Sequence, residues 1–279
     1  MPKQYSVFFY VLTLLISSKV FAGGNKPEEP IMPSKKSIWV DSIFNQLSID
    51  ERIGQLFMVA AYSNKDAKHE AELAKLITES KIGGLIFFQG GPTRQANMQN
   101  RLQALAKTKL LIGMDAEWGL SMRLDSTPVY PLQMTYGATH NPALVYRMGA
   151  EIAWQCRRLG VHISFSPVVD VNSNPLNPVI GNRSFGENPQ QVAKLSEAYM
   201  QGLQNNGVLA NAKHFPGHGD AASDSHLSLP IISKSVGQLE ETDWVPFNQL
   251  INGGIKSIMV GHLYVPSMDT AFNRASTLS

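Results

Sequence analysis

Residues 213–226, KHFPGHGDAASDSH, gather three of the chain's seven histidines with a lysine and two aspartates. Pro216, Gly217 and Gly219 forbid a regular helix, so the segment reads as a long shaped loop. Two chemistries fit these residue types. His214, His218, Asp224 and His226 are suitable ligands for zinc, although the H-E-x-x-H spacing and the helix it needs are absent. Alternatively, Asp224 and His226 stand two apart, and in an extended loop both side chains reach one place. A carboxylate on one imidazole nitrogen fixes the tautomer and raises the basicity of the other. Such a histidine gives a proton to a leaving oxygen and takes one from water near neutral pH.

Positioning this loop falls to short apolar runs that alternate with amphipathic ones. Strands are expected at 57–61, 84–88, 110–114, 163–169, 208–213 and 257–260, and helices at 48–56, 70–80, 93–107, 142–159, 189–206 and 235–252. Asn141-Pro142 and Asn188-Pro189 mark two helix starts, with Asn as cap and Pro in the first turn. Continuous apolar strands, each followed by a helix, signal a parallel α/β sheet covered on its faces. No Gly-rich phosphate loop follows the first strand, as an open dinucleotide-binding sheet would require. Instead, Asp115 and Glu117 follow the third strand, Asp170 and Asn172 the fourth, Lys213 and His214 the fifth, and His262 the sixth. Polar residues at the C-terminal ends of several strands are how a TIM-type (β/α)8 barrel builds one site.

The string K-H-F-P-G-H-G-x4-D-x-H closely resembles the signature of bacterial β-N-acetylhexosaminidases of glycoside hydrolase family 3, the NagZ-like group. Gly113-Met114-Asp115-Ala116-Glu117 with Arg123, Pro167 to Asn172 (PVVDVN), Arg183-Ser184-Phe185-Gly186 and the closing ASTLS resemble further family motifs in the same order. The resemblance implies a retaining exo-β-N-acetylglucosaminidase that removes terminal N-acetylglucosamine from peptidoglycan fragments or chitin oligosaccharides. It implies His226 as general acid/base with Asp224 as its partner, and Asp115, Arg123, Arg183, Lys213 and His214 as sugar-binding residues. No metal and no cofactor are implied. Asp170 reads as architectural, and His218 as an organiser of the loop. One departure stands out: Trp118 replaces a family glycine, and it either lines a neighbouring sugar subsite or fills a gap at the barrel rim.

Family members carry an aspartate nucleophile at the end of a seventh strand, and no such segment follows Val260. The expectation is an incomplete barrel of about six strands, inactive without that nucleophile, with open edges on its first and last strands. A non-catalytic sugar-binding fragment and a metal-dependent barrel hydrolase are the readings from other classes.

The remaining features concern compartment. Residues 1–22 have the form of a secretory signal: Lys3, an apolar stretch around 8–16, and Val20-Phe21-Ala22 before the cut. The apolar run is short of the ~20 residues needed to span a bilayer. Cleavage removes Lys3 and Lys19, so the 24 basic residues become 22 against 22 acidic ones. A neutral mature chain does not fit an electrostatic nucleic-acid binder. Residues 23–36 read as a flexible linker and 37–279 as the barrel domain, exported to the periplasm or beyond. No stable membrane span is expected after cleavage, and the expected partner is a saccharide containing N-acetylglucosamine. The single cysteine, Cys156, lies on an apolar helix face and is expected to be buried and inert.

Overall fold

The computed structural model describes residues 35–224 and 228–279. The signal-like segment, most of the linker and His226 lie outside these residues. The chain divides into two units, Met1–Ser42 and Ile43–Ser279. Helix α1 (Lys35–Asn45) begins inside the stretch read as linker, so Lys35 and Lys36 are helical.

Among the described residues of the second unit six strands alternate with helices. In chain order they are α2 (Ile49–Gly54), β1 (Met58–Ala61), α3 (Ala67–Lys75), β2 (Gly84–Phe87), α4 (Pro92–Leu105), β3 (Leu111–Met114), α5 (Gln133–Gly137), α6 (Pro142–Arg158), β4 (Ile163–Ser164), α7 (Pro189–Gln204), β5 (Leu209–Phe215), α8 (Val236–Glu241), α9 (Trp244–Asn252) and β6 (Ser257–Val260). The strands are all parallel and ordered β1-β2-β3-β4-β5-β6, the arrangement of an incomplete TIM-type barrel. Among the described residues β1 and β6 are the two ends of the sheet.

Each expected strand is present, but β4 is shorter than its apolar run. Its ladder stops at Ser164, and Pro167 has no N–H to continue it. The backbone resumes beside β5 through Val169 N–H to Lys213 O at 2.8 Å. On the other side of Val168 the buried amide of Gln133 stands in for a strand: Nε2 donates to Val168 O and Oε1 accepts from Val168 N–H. The helical run at 235–252 divides into α8 and α9, and α3 ends in a wider turn, Leu76–Ser80. Asn141 and Asn188 cap α6 and α7 as their sequence requires, each side chain accepting an N–H of the first turn.

The core lies between the sheet and its helices, with Leu85, Phe87, Ile112, Met114, Ile152, Tyr199 and Leu203 fully enclosed. Cys156 belongs to it, and burial pushes its thiol up to about 12, which leaves it unreactive at neutral pH.

Candidate active site

A bed of paired charges is built where the loops after β3, β4 and β5 meet. Asp115 and Glu117 leave the end of β3, two positions apart and on one side. Lys213, near the end of β5, is 2 % exposed and sits between them, its Nζ 2.8 Å from Asp115 Oδ1 and 2.6 Å from Glu117 Oε1. Arg123 holds the other oxygen of Asp115. Arg183 grips Glu117 bidentately, Nε to Oε2 at 2.9 Å and Nη2 to Oε1 at 2.7 Å. This fork-to-fork geometry combines charge with fixed direction.

Adjacent strand residues ordinarily face opposite sides of a sheet. Lys213 and His214 nevertheless both line the cleft, because the β5–β6 register shifts between Lys213 and Phe215. A bulge re-aims a side chain in this way.

Asp170 supports the bed from below. It is fully buried and accepts from His214 Nδ1 at 2.7 Å, from the His214 N–H at 3.1 Å and from the His218 N–H at 2.7 Å. The role is architectural, as its sequence context indicates. His218 organises the loop through its backbone, its carbonyl accepting from Asn177 Nδ2 at 2.7 Å.

The two glycines flanking His218 have separate reasons. Gly217 adopts φ +136°, and a Cβ on it would meet Asp243 at 2.6 Å. A Cβ on Gly219 would lie 1.7 Å from Val171 O, so the loop packs backbone to backbone against the segment after β4. The RSFG motif resolves similarly: Arg183 binds Glu117, Ser184 Oγ donates to Asp170 O at 2.6 Å, Phe185 enters the core, and Gly186 O accepts from Asn172 N–H.

The pairing fixes the protonation states. Burial alone would raise the Glu117 carboxyl, but Lys213 and Arg183 outweigh it and bring the pKa down to about 2. Asp115 is likewise held below its usual range, Lys213 and Arg123 overcoming its burial. Burial lowers His214 despite the Asp170 carboxylate, so the ring is neutral at pH 7, with Nδ1–H donating to Asp170. Its Nε2 is thereby left as the acceptor. Replacing Asp170 by asparagine should cost about 2 kcal/mol in urea unfolding, because an amide cannot accept all three N–H groups. An unchanged midpoint would show that the loop is held by other contacts.

Three cations (Lys213, Arg123, Arg183) and three carboxylates (Asp115, Glu117, Asp170) therefore cancel, and the neutral His214 adds no charge. All of these but the buried Asp170 line a cavity of about 460 Å³ whose walls include Trp118, Met122, Val179, Met259 and His262. A neutral, hydroxyl-rich ligand suits such a bed better than an ion does.

The model of the glycosyl hydrolase family 3 N terminal domain matches residues 48–278. The chain belongs to glycoside hydrolase family 3. Beta-hexosaminidase A of Pseudoalteromonas piscicida is 35% identical over 214 residues, 72% of this chain and 36% of that protein. The structure of a family 3 beta-N-acetylglucosaminidase from Paenibacillus sp. strain FPU-7 superposes with a TM-score of 0.78 at 35% identity, covering 84% of this chain and 45% of that one. The beta-glucoside phosphorylase BglX bound to 2FGlc gives 0.78 at 26% identity, covering 82% of this chain and 41% of that one. The chain thus spans about a third to a half of the length of these relatives.

Within this family 3 domain the five residues expected to bind sugar, Asp115, Arg123, Arg183, Lys213 and His214, all reach one cleft. Of the dyad, Asp224 belongs to the loop beyond β5, and its carbonyl accepts from Ser228 N–H at 3.0 Å, while His226 lies outside the described residues. Among the residues considered as metal ligands, His214 has Nδ1 committed to Asp170. Two participants have roles that the sequence did not assign, although Glu117 stood among the strand-end polar residues. Glu117 is the centre of the ion network, and its place two residues after Asp115 was the available signal. Tyr199 was not legible: its buried hydroxyl lies 3.1 Å from the carbonyl oxygens of Ala116 and Glu117, bracing their backbone from α7.

Proposed function

We propose that the protein binds a terminal β-linked N-acetylglucosamine in this cleft and is the sugar-binding part of a retaining enzyme that removes it from an oligosaccharide. The observation that carries this reading is the bed of Asp115, Glu117, Arg123, Arg183 and Lys213, made charge-neutral by Asp170 behind it, under a cavity of sugar-accommodating size. Asp115 is positioned to accept from sugar hydroxyls, Lys213 and Arg123 to donate to them, and the His214 Nε2 to accept one more. The names of the Pseudoalteromonas and Paenibacillus relatives support N-acetylhexosaminides as the substrate class. His226 serves as general acid/base and Asp224 as the group that orients it. This assignment rests on the K-H-F-P-G-H-G-x4-D-x-H match. The substrates are peptidoglycan fragments or chitin oligosaccharides, met outside the cytoplasm after removal of residues 1–22.

A histidine acid/base brings no negative charge against an incoming phosphate, which a carboxylate would repel. The likeness to BglX gives that point weight. Wherever turnover is measured, sugar 1-phosphate formed only with added phosphate marks phosphorolysis, and free sugar in both cases marks hydrolysis.

Binding tests the site without requiring turnover. Calorimetric titration of the 279-residue chain should detect N-acetylglucosamine, with glucose weaker. Asp115→Asn should weaken the sugar about tenfold or more, the loss of a charge-assisted hydrogen bond. No binding by the wild-type chain, or equal binding by Asp115→Asn, would defeat the reading.

A further inference from the structure

Trp118 occupies a position that the ion network itself fixes. Glu117, its neighbour, has a carboxylate locked by Lys213 and Arg183 and a carbonyl held by Tyr199. On the other side Gly119 adopts φ +90°, and a Cβ there would meet the Tyr130 ring at 2.6 Å. The Gly119 N–H returns to Ala116 O at 3.1 Å, and Ser121 Oγ donates to Trp118 O. The backbone is therefore pinned before and after the indole. The side chain packs partly on the core and partly lines the cleft, so it is half-buried. A wall of this kind loses little conformational freedom when a ligand covers it.

Its neighbours place it relative to the sugar-reading groups. Val179 also lines the cleft, and its carbonyl accepts from Arg183 Nη1 at 3.1 Å. Trp118 thus adjoins Glu117 and Val179 contacts Arg183, whereas Arg123 holds Asp115 and Lys213 joins the two carboxylates. The cavity, about 460 Å³, exceeds what one N-acetylhexosamine fills. An indole offers far more apolar face than an acetamido methyl needs, and it matches the C–H face of a pyranose ring.

We propose that Trp118, which lines the same cleft as Val179, forms a second subsite that stacks the sugar on the leaving-group side of the scissile bond. The proposal rests on the N-acetylglucosamine reading above and extends it to the residue that favours oligosaccharides over the monosaccharide.

The experiment compares N-acetylglucosamine with its β-1,4-linked disaccharide, titrated into the wild-type chain, Trp118→Ala and Trp118→Phe. Wild type should bind the disaccharide more tightly than the monosaccharide. Trp118→Ala should weaken the disaccharide about tenfold while leaving the monosaccharide within about twofold, and Trp118→Phe should restore most of the difference. Should Trp118→Ala fail to fold, Trp118→Phe still decides, since a ring of smaller face must reduce the disaccharide preference without touching the monosaccharide. Equal weakening of both sugars, or of neither, overturns the subsite. So does a wild-type chain that binds the monosaccharide but gains nothing from the second ring. Binding of neither sugar by wild type instead defeats the underlying reading of the cleft, which keeps the two failures separate.

Discussion

Replacing Lys213 with methionine is expected to abolish sugar binding and to lower the unfolding free energy by about 3 kcal/mol. Methionine keeps most of the volume and removes the charge that two carboxylates share. Lys213 is almost fully enclosed, and so is the Glu117 side chain. Water therefore cannot take over the role of the ammonium. Asp115 would keep Arg123, and Glu117 would keep Arg183, but each carboxylate would lose its shortest or second-shortest cationic contact. Two like charges would then face each other across the vacated position. Urea unfolding at pH 7 measures the loss, with an unchanged slope indicating that the unfolded state is not the cause. Adding Glu117→Gln removes one of the two uncompensated charges, so the double variant should recover part of the deficit. A deficit below about 1 kcal/mol for Lys213→Met would show that the two arginines neutralise the bed unaided.

Acid should dissolve this network in two stages. His214 is held neutral in the folded chain below its ordinary 6.5, and His162, lowered by burial, accepts from the Ile112 N–H through Nδ1. The unfolded chain binds protons at these positions first, so stability begins to fall once the pH drops below about 6.5. The second stage belongs to the carboxylates. Glu117 titrates at about 2 when folded against 4.5 when unfolded, and Asp115 and Asp170 are shifted in the same direction. Their contribution is complete above the unfolded values and is lost as the pH falls through the folded ones. For Glu117 alone the gap between 4.5 and about 2 corresponds to about 3 kcal/mol. Unfolding midpoints measured from pH 7 to pH 3 should steepen below 4.5 in the wild type. Glu117→Gln should start lower and fall less over that interval. Parallel curves for the two proteins would refute the assignment of the acid limb to Glu117.

Much of this architecture was written locally. The β strands and the caps at Asn141 and Asn188 follow from short-range pattern, because an apolar run and an Asn-Pro pair act on their own neighbourhood. The five residues expected to bind sugar, which share one cleft, were legible through motifs whose members stand close in sequence. Asp170 could be placed in its motif, but its partners could not, since they are the His214 ring and backbone N–H groups 44 and 48 positions away. Glu117 looked like one acidic residue among others until Lys213 and Arg183 were seen to converge on it. Tyr199 and Gln133 act through backbone carbonyls and amides of other segments, contacts that no local pattern encodes. The short β4 is a similar case: the apolar run through Val169 promises a strand, and Pro167 interrupts the ladder inside it.

The distances along the chain that these bonds close carry a kinetic consequence. Lys213 and Asp115 are 98 residues apart, Arg183 and Glu117 are 66 apart, and His214 and Asp170 are 44 apart. Closing such loops costs entropy before the contacts return any energy, and parallel strands cannot meet until their crossovers have packed. The charged bed is accordingly a late product of folding, completed when β3, β4 and β5 are in register. The onset of ligand binding during refolding would therefore time the arrival of β5 rather than the earlier collapse of the chain.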